Sequence, residues 1–498
     1  MPVPDPDANP VDAVPERIVL AVSGPQYVII ELRQRPLLSR ARLRAQGGLR
    51  AGSARLATAR QQLAAEHDRV LAAMASSAQR RRGRSATGSE LVRRRFVATF
   101  NGIAATLTAQ EQDDLRSQPD VAAIHEDAVV EAVLDVSAAM VAAPQYRIAS
   151  GNDGTGATVA VIDTGIDHTH TDLGGCLGPA CKVRGGYDFV DDDPMPQDGH
   201  GHGTHVAGIV ASSHPSLPGV APGASLLAYR VLDDDGYGLE SDVMAGIERA
   251  IDPDDDGDTS DRADVLNLSL GGDGDADSPL AQAADNATAA GAVVVAAAGN
   301  RSWYSRILSP GSARSAVTVG ATGDNDVRAV FSSRGPNQPG NEIKPEISAP
   351  GVAVCAPRAA GTGLGGACHD AEHVALSGTS MATPHVAGAA ALLRAADPVL
   401  TPAQVKSMLI GGARDVGAPI KDIGAGVLDI AAAAAAPAII EPATLSFGLD
   451  DLALSVWSAQ RTLLVRNTGA GARDYVATAQ GLPAGVTITL EPAAFSLA

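Results

Sequence analysis

Asp163, His202 and Ser380 occur in that order, each inside a short segment suited to one chemistry. The segments are Val159-Ala-Val-Ile-Asp163-Thr-Gly-Ile-Asp167, His200-Gly-His202-Gly-Thr-His205-Val-Ala-Gly208 and Ser377-Gly-Thr-Ser380-Met-Ala-Thr-Pro-His385. A hydroxyl is a weak nucleophile until a neighbouring imidazole takes its proton. The imidazole in turn needs a carboxylate to fix its tautomer and stabilise its cation. Val293-Val-Val-Ala-Ala-Ala-Gly299-Asn300 adds a side-chain amide able to donate to a developing oxyanion. Taken singly, each residue has a plainer reading: Asp163 and Ser380 as helix N-caps, His202 as a packed core residue, Asn300 as a turn residue. Together they select acyl transfer.

Positioning residues so far apart requires a fold that brings strand ends and helix starts to one edge. Val159 to Ile162, Leu226 to Val231, Val265 to Leu270, Val293 to Ala298 and Val317 to Val319 are short, nearly continuous apolar runs. They read as strands buried on both faces of a parallel sheet. Helices are expected after His202, over 242–250 and 279–290, after Ser380 with Pro384 in its first turn, and over 401–410. The pattern over 145–432 predicts a doubly wound, mainly parallel α/β domain. Asp163 then ends a strand, where open α/β sheets gather their functional groups. Ser380 opens a helix, whose free amides suit an oxyanion.

Residues 25–135 read differently: a strand over 27–32, a helix over 51–79, a strand over 95–100, apolar residues 103–107, a capping-box helix from Thr108 to about Ser117, and strand material at 121–124 and 128–133. This β-α-β-β-α-β order describes a small ferredoxin-like unit. Arg80 to Arg84 is expected as an exposed basic loop and 1–24 as disordered. Over 438–498, short alternating runs at 443–447, 462–465, 474–479 and 486–490 suggest the opening of an Ig-like β-sandwich that continues beyond this sequence.

The 498 residues carry a net charge of −19. Residues 1–135 hold 18 Lys+Arg against 16 Asp+Glu (+2), and the remainder 20 against 41 (−21). An acidic body excludes nucleic acid and anionic membrane as partners. No apolar run reaches the ~18–20 residues of a membrane span. Cys176/Cys181 and Cys355/Cys368 form two local pairs. Read as disulfides, they imply an oxidising, extracytoplasmic compartment. The rival reading, a four-thiolate zinc site, lacks the usual Cys-x-x-Cys knuckles. No complete signal peptide is visible, so export is inferred from the cysteines.

With these motifs in place, residues 145–432 resemble the catalytic domain of the subtilisin (subtilase) family of serine endopeptidases. The resemblance implies that Asp163 orients the imidazole, His202 is general base then acid, Ser380 attacks peptide bonds, and Asn300 stabilises the oxyanion together with the Ser380 amide. It makes His200 and His205 structural. It also implies that Ser269, Leu270, Gly271 and Gly272 pair with substrate backbone, and that Leu270 with Ala297, Ala298 and Gly299 lines the S1 pocket. Residues 27–133, including Phe100-Asn-Gly-Ile-Ala-Ala-Thr-Leu107, resemble the family's inhibitory propeptide, expected to fill the cleft until self-cleavage between about 131 and 145. The loop between Gly208 and Gly219 lacks the Asn/Gly-rich stretch of the family's strong calcium site, which is therefore not carried over. The loop Arg301 to Ser309 replaces the usual S1 floor and leaves P1 preference open.

Asp252-Pro-Asp254-Asp-Asp256-Gly257-Asp258-Thr-Ser-Asp261 reproduces half of an EF-hand loop. It is read as a calcium site using Asp252, Asp254, Asp256, Asp258 and Asp261, against the alternative of a solvated acidic loop. No organic cofactor is expected. The whole predicts a secreted, propeptide-inhibited serine endopeptidase, against a catalytically silent binding protein that keeps the fold.

Overall fold

A computed structural model describes residues 25–39, 54–82, 91–132, 141–304, 306–448, 458–482 and 484–498. The expected disordered segment 1–24 lies outside these. The N-terminal unit comprises β1 Gln26–Leu32, α1 Ala54–Arg82, β2 Val92–Phe96, β3 Gly102–Leu107, α2 Ala109–Arg116 and β4 Val121–Glu126. The four strands form an antiparallel sheet in the order β2-β3-β1-β4, as the β-α-β-β-α-β reading requires. Thr108 and Glu111 close the expected capping box on α2. Helix α1 extends through Arg82, so Arg80 to Arg82 are helical and not a loop; Gly83 and Arg84 lie outside the described residues.

Strand β5, Val129–Ala132, leaves that sheet. The helix α3 Ala143–Ser150 then precedes the central α/β unit. Its elements in order are β6 Thr158–Asp163, β7 Val183–Asp188, α4 His202–Ala211, β8 Ser225–Arg230, β9 Tyr237–Leu239, α5 Glu240–Ile251, β10 Val265–Leu268, β11 Leu270–Gly271, α6 Pro279–Ala290, β12 Val293–Ala297, β13 Val317–Thr322 and β14 Ile347–Pro350. After β15 Val354–Pro357, β16 Gly366–Ala367 and β17 His373–Leu376 come α7 Thr379–Ala396 and α8 Pro402–Gly411.

Seven strands form one parallel sheet in the order β14-β13-β12-β10-β6-β8-β7. Alternate residues serve opposite faces. Val159, Val161, Val293 and Val295 join the core with α4 and α7, whereas Ala160, Ile162, Val294 and Ala296 join the core with α5 and α6. Burial on both sides explains why these strands read as unbroken apolar runs. The outer strands β7 and β14 escape that reading, β7 because it is partly exposed and β14 because a short stretch with Ser348 and Pro350 is buried there under residues 426–428. Val183-Arg-Gly-Gly-Tyr-Asp and Ile347-Ser-Ala-Pro lack the apolar run that central burial demands.

The N-terminal unit packs on the α5/α6 side. Its Asp127 caps α5, accepting from Ser241 N at 2.8 Å and Ser241 Oγ at 2.6 Å, which suits the positive end of a helix dipole. Arg93 reaches Asp127 and Asp242, each at 3.2 Å. The half-buried Glu248 accepts from Ala98 N, Thr99 N and Thr99 Oγ1. Beyond the unit, β5 inserts between β9 and β11 as the middle of a three-stranded antiparallel sheet, with Ala132 opposite Leu270 and Glu131 opposite Gly271.

The C-terminal residues meet expectation in part, with strands overlapping the expected runs 462–465 and 474–479. Two separate antiparallel ladders form, pairing β18 Ala438–Glu441 with β19 Leu464–Asn467 and β20 Arg473–Val476 with β21 Ala494–Leu497. No strand occurs at 443–447 or 486–490. Leu464 and Val476 stay 65% and 75% exposed, since so short a segment cannot cover two sheet faces.

The docking of the N-terminal unit should depend on pH. Burial pushes Glu248 up to about 7 and Glu240 up to about 8, and it also raises Asp127 and Asp242. Undocked, Glu248 returns towards its ordinary 4.5. The docked form binds protons more tightly, so docking is strongest below about pH 4.5 and weakens as pH rises through about 7. Once the chain is cut between about 131 and 145, affinity of the N-terminal unit should fall tens of fold or more across that window, and Glu248→Gln should flatten much of the change. An affinity that rises with pH would contradict this account.

Candidate active site

Asp163 is the last residue of β6, and His202 is the first of α4. Both are fully buried, and His202 Nδ1 donates to Asp163 Oδ1 at 2.6 Å. A carboxylate can only accept here, so the proton sits on Nδ1 and the basic lone pair on Nε2. The Thr164 amide adds a second donor to Asp163 Oδ1 at 2.8 Å.

A residue without an expected role builds this approach. Asp198, fully enclosed, accepts from Thr164 Oγ1 at 2.9 Å, His200 N at 3.0 Å, Gly201 N at 2.7 Å, Thr204 N at 2.8 Å and Thr204 Oγ1 at 2.5 Å. Burial pushes its pKa up while these bonds pull it down. It thereby ties the β6 end to the α4 start. Gly203 permits the final contact, because a Cβ there would lie 2.1 Å from Gly165 O and 3.2 Å from Asp163 Cβ. Only the position of an acid four residues before His202, in a glycine-rich loop, hints at this in sequence.

His205 and His385 take packing positions. His205 Nε2 lies 2.9 Å from Val354 O and 3.1 Å from Val374 O, and burial drives its pKa down to about 3. His385 Nδ1 lies 2.8 Å from Met381 O. His200 is also shifted down by burial, with His202 adding to the effect.

Ser380 sits in the first turn of α7, behind Gly378. Its hydroxyl donates to Ser269 O at 2.6 Å, and Ser269 Oγ donates back to Ser380 O at 2.8 Å. Pro384 makes the return bond possible. It lies inside the helix, not in the first turn as expected, and its missing N–H leaves Ser380 O without its i+4 donor. The reciprocal pair fastens the edge residue Ser269 to the start of α7.

Asn300 follows β12. Its Oδ1 accepts from Thr379 N at 3.0 Å and Thr379 Oγ1 at 2.8 Å. A backbone N–H can only donate, so the amide orientation is fixed and Nδ2 faces away from Thr379. Thr379 Oγ1 also accepts from Gly299 N at 3.1 Å. Thr379, unnoticed in the sequence, therefore holds the strand end, the amide and the helix start together. This places a hydroxyl, an imidazole–carboxylate pair and an amide donor along one edge, the equipment of acyl transfer.

The edge Ser269 to Gly272 is buried, and its Leu270 and Gly271 pair with β5. Ala297, Ala298 and Gly299 run alongside. Between the two lies Leu308, 3% exposed, whose amide donates to Ala298 O at 3.1 Å. A Cβ on Gly299 would meet its Cγ at 2.5 Å, and one on Gly271 its Cβ at 2.9 Å. The isobutyl group therefore fills the wedge between the strands.

The cysteines pair as Cys176–Cys181 and Cys355–Cys368. In the acidic loop, Asp252, Asp254 and Asp261 bring carboxylate oxygens within 4.8 Å of one another. Asp256 and Asp258 stand outside that group and accept the amides of Asp258 and Ser260. Burial and the neighbouring carboxylates push Asp252 up to about 6.

The subtilase family model matches residues 154–427, and the peptidase inhibitor I9 model matches 28–132. Subtilisin E of Bacillus subtilis (strain 168) is 38% identical over 343 residues, 67% of this chain and 81% of that protein. Subtilisin DY of Bacillus licheniformis is 40% identical over 291 residues, 57% of this chain and 93% of its own. Serine protease AprX of Bacillus subtilis (strain 168) is 37% identical over 346 residues, covering 64% and 76%. A match over more than half the chain, joined to this geometry, makes the chain a member of the subtilase family of serine endopeptidases, with an inhibitor I9 propeptide region ahead of its catalytic unit.

Proposed function

We propose that the chain is a secreted zymogen that cleaves itself and then hydrolyses peptide bonds through an acyl-enzyme at Ser380. The buried 2.6 Å bond between His202 and Asp163 carries the reading. Ser380 turns from Ser269 O, gives its proton to His202 Nε2 and attacks the scissile carbonyl. Negative charge builds on the carbonyl oxygen, where Asn300 Nδ2 and the Ser380 amide donate to it. His202 returns the proton to the leaving amine, and the bond to nitrogen breaks. Water activated by the same imidazole then releases the acyl group.

Inhibition follows from β5. It occupies the hydrogen-bonding edge at Leu270 and Gly271 that an extended substrate would use. On this reading 25–135 is the propeptide, 145–432 the catalytic domain and 438–498 a separate C-terminal β segment. Self-cleavage falls between about 131 and 145. The two disulfides support an extracytoplasmic destination. Ca2+ suits the all-oxygen group of Asp252, Asp254 and Asp261, where it would neutralise crowded carboxylates and hold the loop. Removal of Ca2+ by chelator should lower the melting temperature of the chain but not that of its Asp254→Ala variant; an equal shift in both excludes the loop.

A fluorophosphonate should label Ser380 after propeptide removal and leave Ser380→Ala unmodified; absence of labelling in the parent would sink the enzyme reading. Leu308 further implies a shallow S1 pocket. In a peptide-library digest the processed enzyme should favour small P1 residues, and Leu308→Gly should shift kcat/KM towards large apolar P1 residues by ten-fold or more, about 1–3 kcal/mol. An unchanged P1 profile in that variant would remove Leu308 from the pocket.

A further inference from the structure

Four of the chain's eleven histidines gather away from the triad, where three segments remote in sequence meet. His170 and Asp172 come from the turn after β6, His214 from the loop leaving α4, and His369, Asp370 and His373 from the stretch after Cys368. The rings of His214 and His373 have centroids 4.9 Å apart, with His369 at 5.3 Å and 5.6 Å from them. One ligand atom from each of Asp172, His214 and His373 lies within 4.8 Å of the others, and the same holds for His214, His369 and Asp370.

The bonding around His373 gives the cluster its direction. Asp370 Oδ1 holds Nδ1 at 2.7 Å, while Nε2 points to the buried Asp172 Oδ2 at 2.8 Å. A carboxylate behind one ring nitrogen, with a donor set ahead of the other, is the arrangement that orients metal-bound imidazoles. Mixed imidazole and carboxylate donors suit a zinc-class ion, whereas Ca2+ takes oxygen. We propose that Asp172, His214 and His373 form a transition-metal site, with Zn2+ as the matching ion, His369 completing the shell and Asp370 positioning His373.

Binding replaces the proton shared by His373 Nε2 and Asp172 and releases it to solvent. His214 Nδ1 accepts from Ser216 N at 3.2 Å and Leu217 N at 3.0 Å, so its ring turns and the 214–217 loop adjusts on loading. The ion would clamp both ends of the helix that carries His202. At the far end, Ser213 N donates to Asp172 O at 2.9 Å. Near the start, His205 lies 3.1 Å from the carbonyl of Val374, next to His373.

The test titrates Co2+, then Zn2+, into the full-length Ser380→Ala chain after chelator treatment. One Co2+ per chain should bind with the visible absorption of a four-coordinate nitrogen/oxygen site and be displaced by one Zn2+. Affinity should fall 100-fold or more in His373→Gln and Asp172→Asn, and about 10–100-fold in Asp370→Asn. Because His369 is exposed, His369→Ala keeps the test valid if the buried variants misfold, and it should weaken binding about ten-fold. Asp254→Ala should bind Co2+ as the parent does. No Co2+ absorption in the parent, or equal affinity in the parent and in His369→Ala with either buried variant, would overturn the proposal.

Discussion

The Asp163 carboxylate lies with no solvent contact, and the short bond from His202 Nδ1 is what makes that placement tolerable. An unpaired carboxylate there would neutralise or destabilise the fold by several kcal/mol. The same bond fixes the tautomer that leaves Nε2 basic. Much of the surrounding architecture keeps the pair together. Asp198 collects five donors from both sides of the contact, and Gly203 lets the two backbones meet. Ser380 and Asn300 are fixed by the analogous joints at Ser269 and Thr379. The site is thus a set of strand ends and helix starts joined by short polar side chains. The Ser380 hydroxyl, bonded to Ser269 O, is the one group of the set that the proposed reaction must turn.

The edge that would bind substrate and the surface that holds the propeptide are parts of one continuous contact. Strand β5 satisfies the edge amides and carbonyls at Leu270 and Gly271, while Asp127, only two residues earlier, caps α5. Blocking and docking therefore share a short piece of chain. The same contact encloses Glu240, Asp242 and the half-buried Glu248, whose pKa values desolvation raises. The edge pairing is made of backbone groups that do not titrate. A zymogen assembled this way keeps its groove filled by backbone pairing and its docking surface lined with titratable groups.

Sequence legibility followed the physics of each element. Central strands such as Val159 to Ile162 and Val293 to Ala297 were readable because burial on two faces forces an apolar run. The strands β7 and β14 were not: β7 is partly exposed, and β14, though buried, is the short Ile347-Ser-Ala-Pro with no apolar run. Asp163, His202, Ser380 and Asn300 stood out as candidates because their residue types suit one chemistry, and the structure sets them at strand ends and helix starts. Asp198, Thr379 and Leu308 were not: each acts through backbone amides, a neighbour's orientation or filled space, which only the folded chain creates. The C-terminal strands slipped from their expected places because alternation over a few residues sets no register without a covering face. In the acidic loop, spacing suggested five ligands, but the turns direct only Asp252, Asp254 and Asp261 towards one another.

The most direct measurement of the central claim is the turnover of the processed enzyme carrying Asp163→Asn at neutral pH. The amide nearly matches the carboxylate in shape but no longer selects the Nδ1-protonated imidazole. The account predicts a fall in kcat of about 10⁴-fold with KM little changed and the fold intact. A processed Asp163→Asn enzyme within ten-fold of the parent would contradict it.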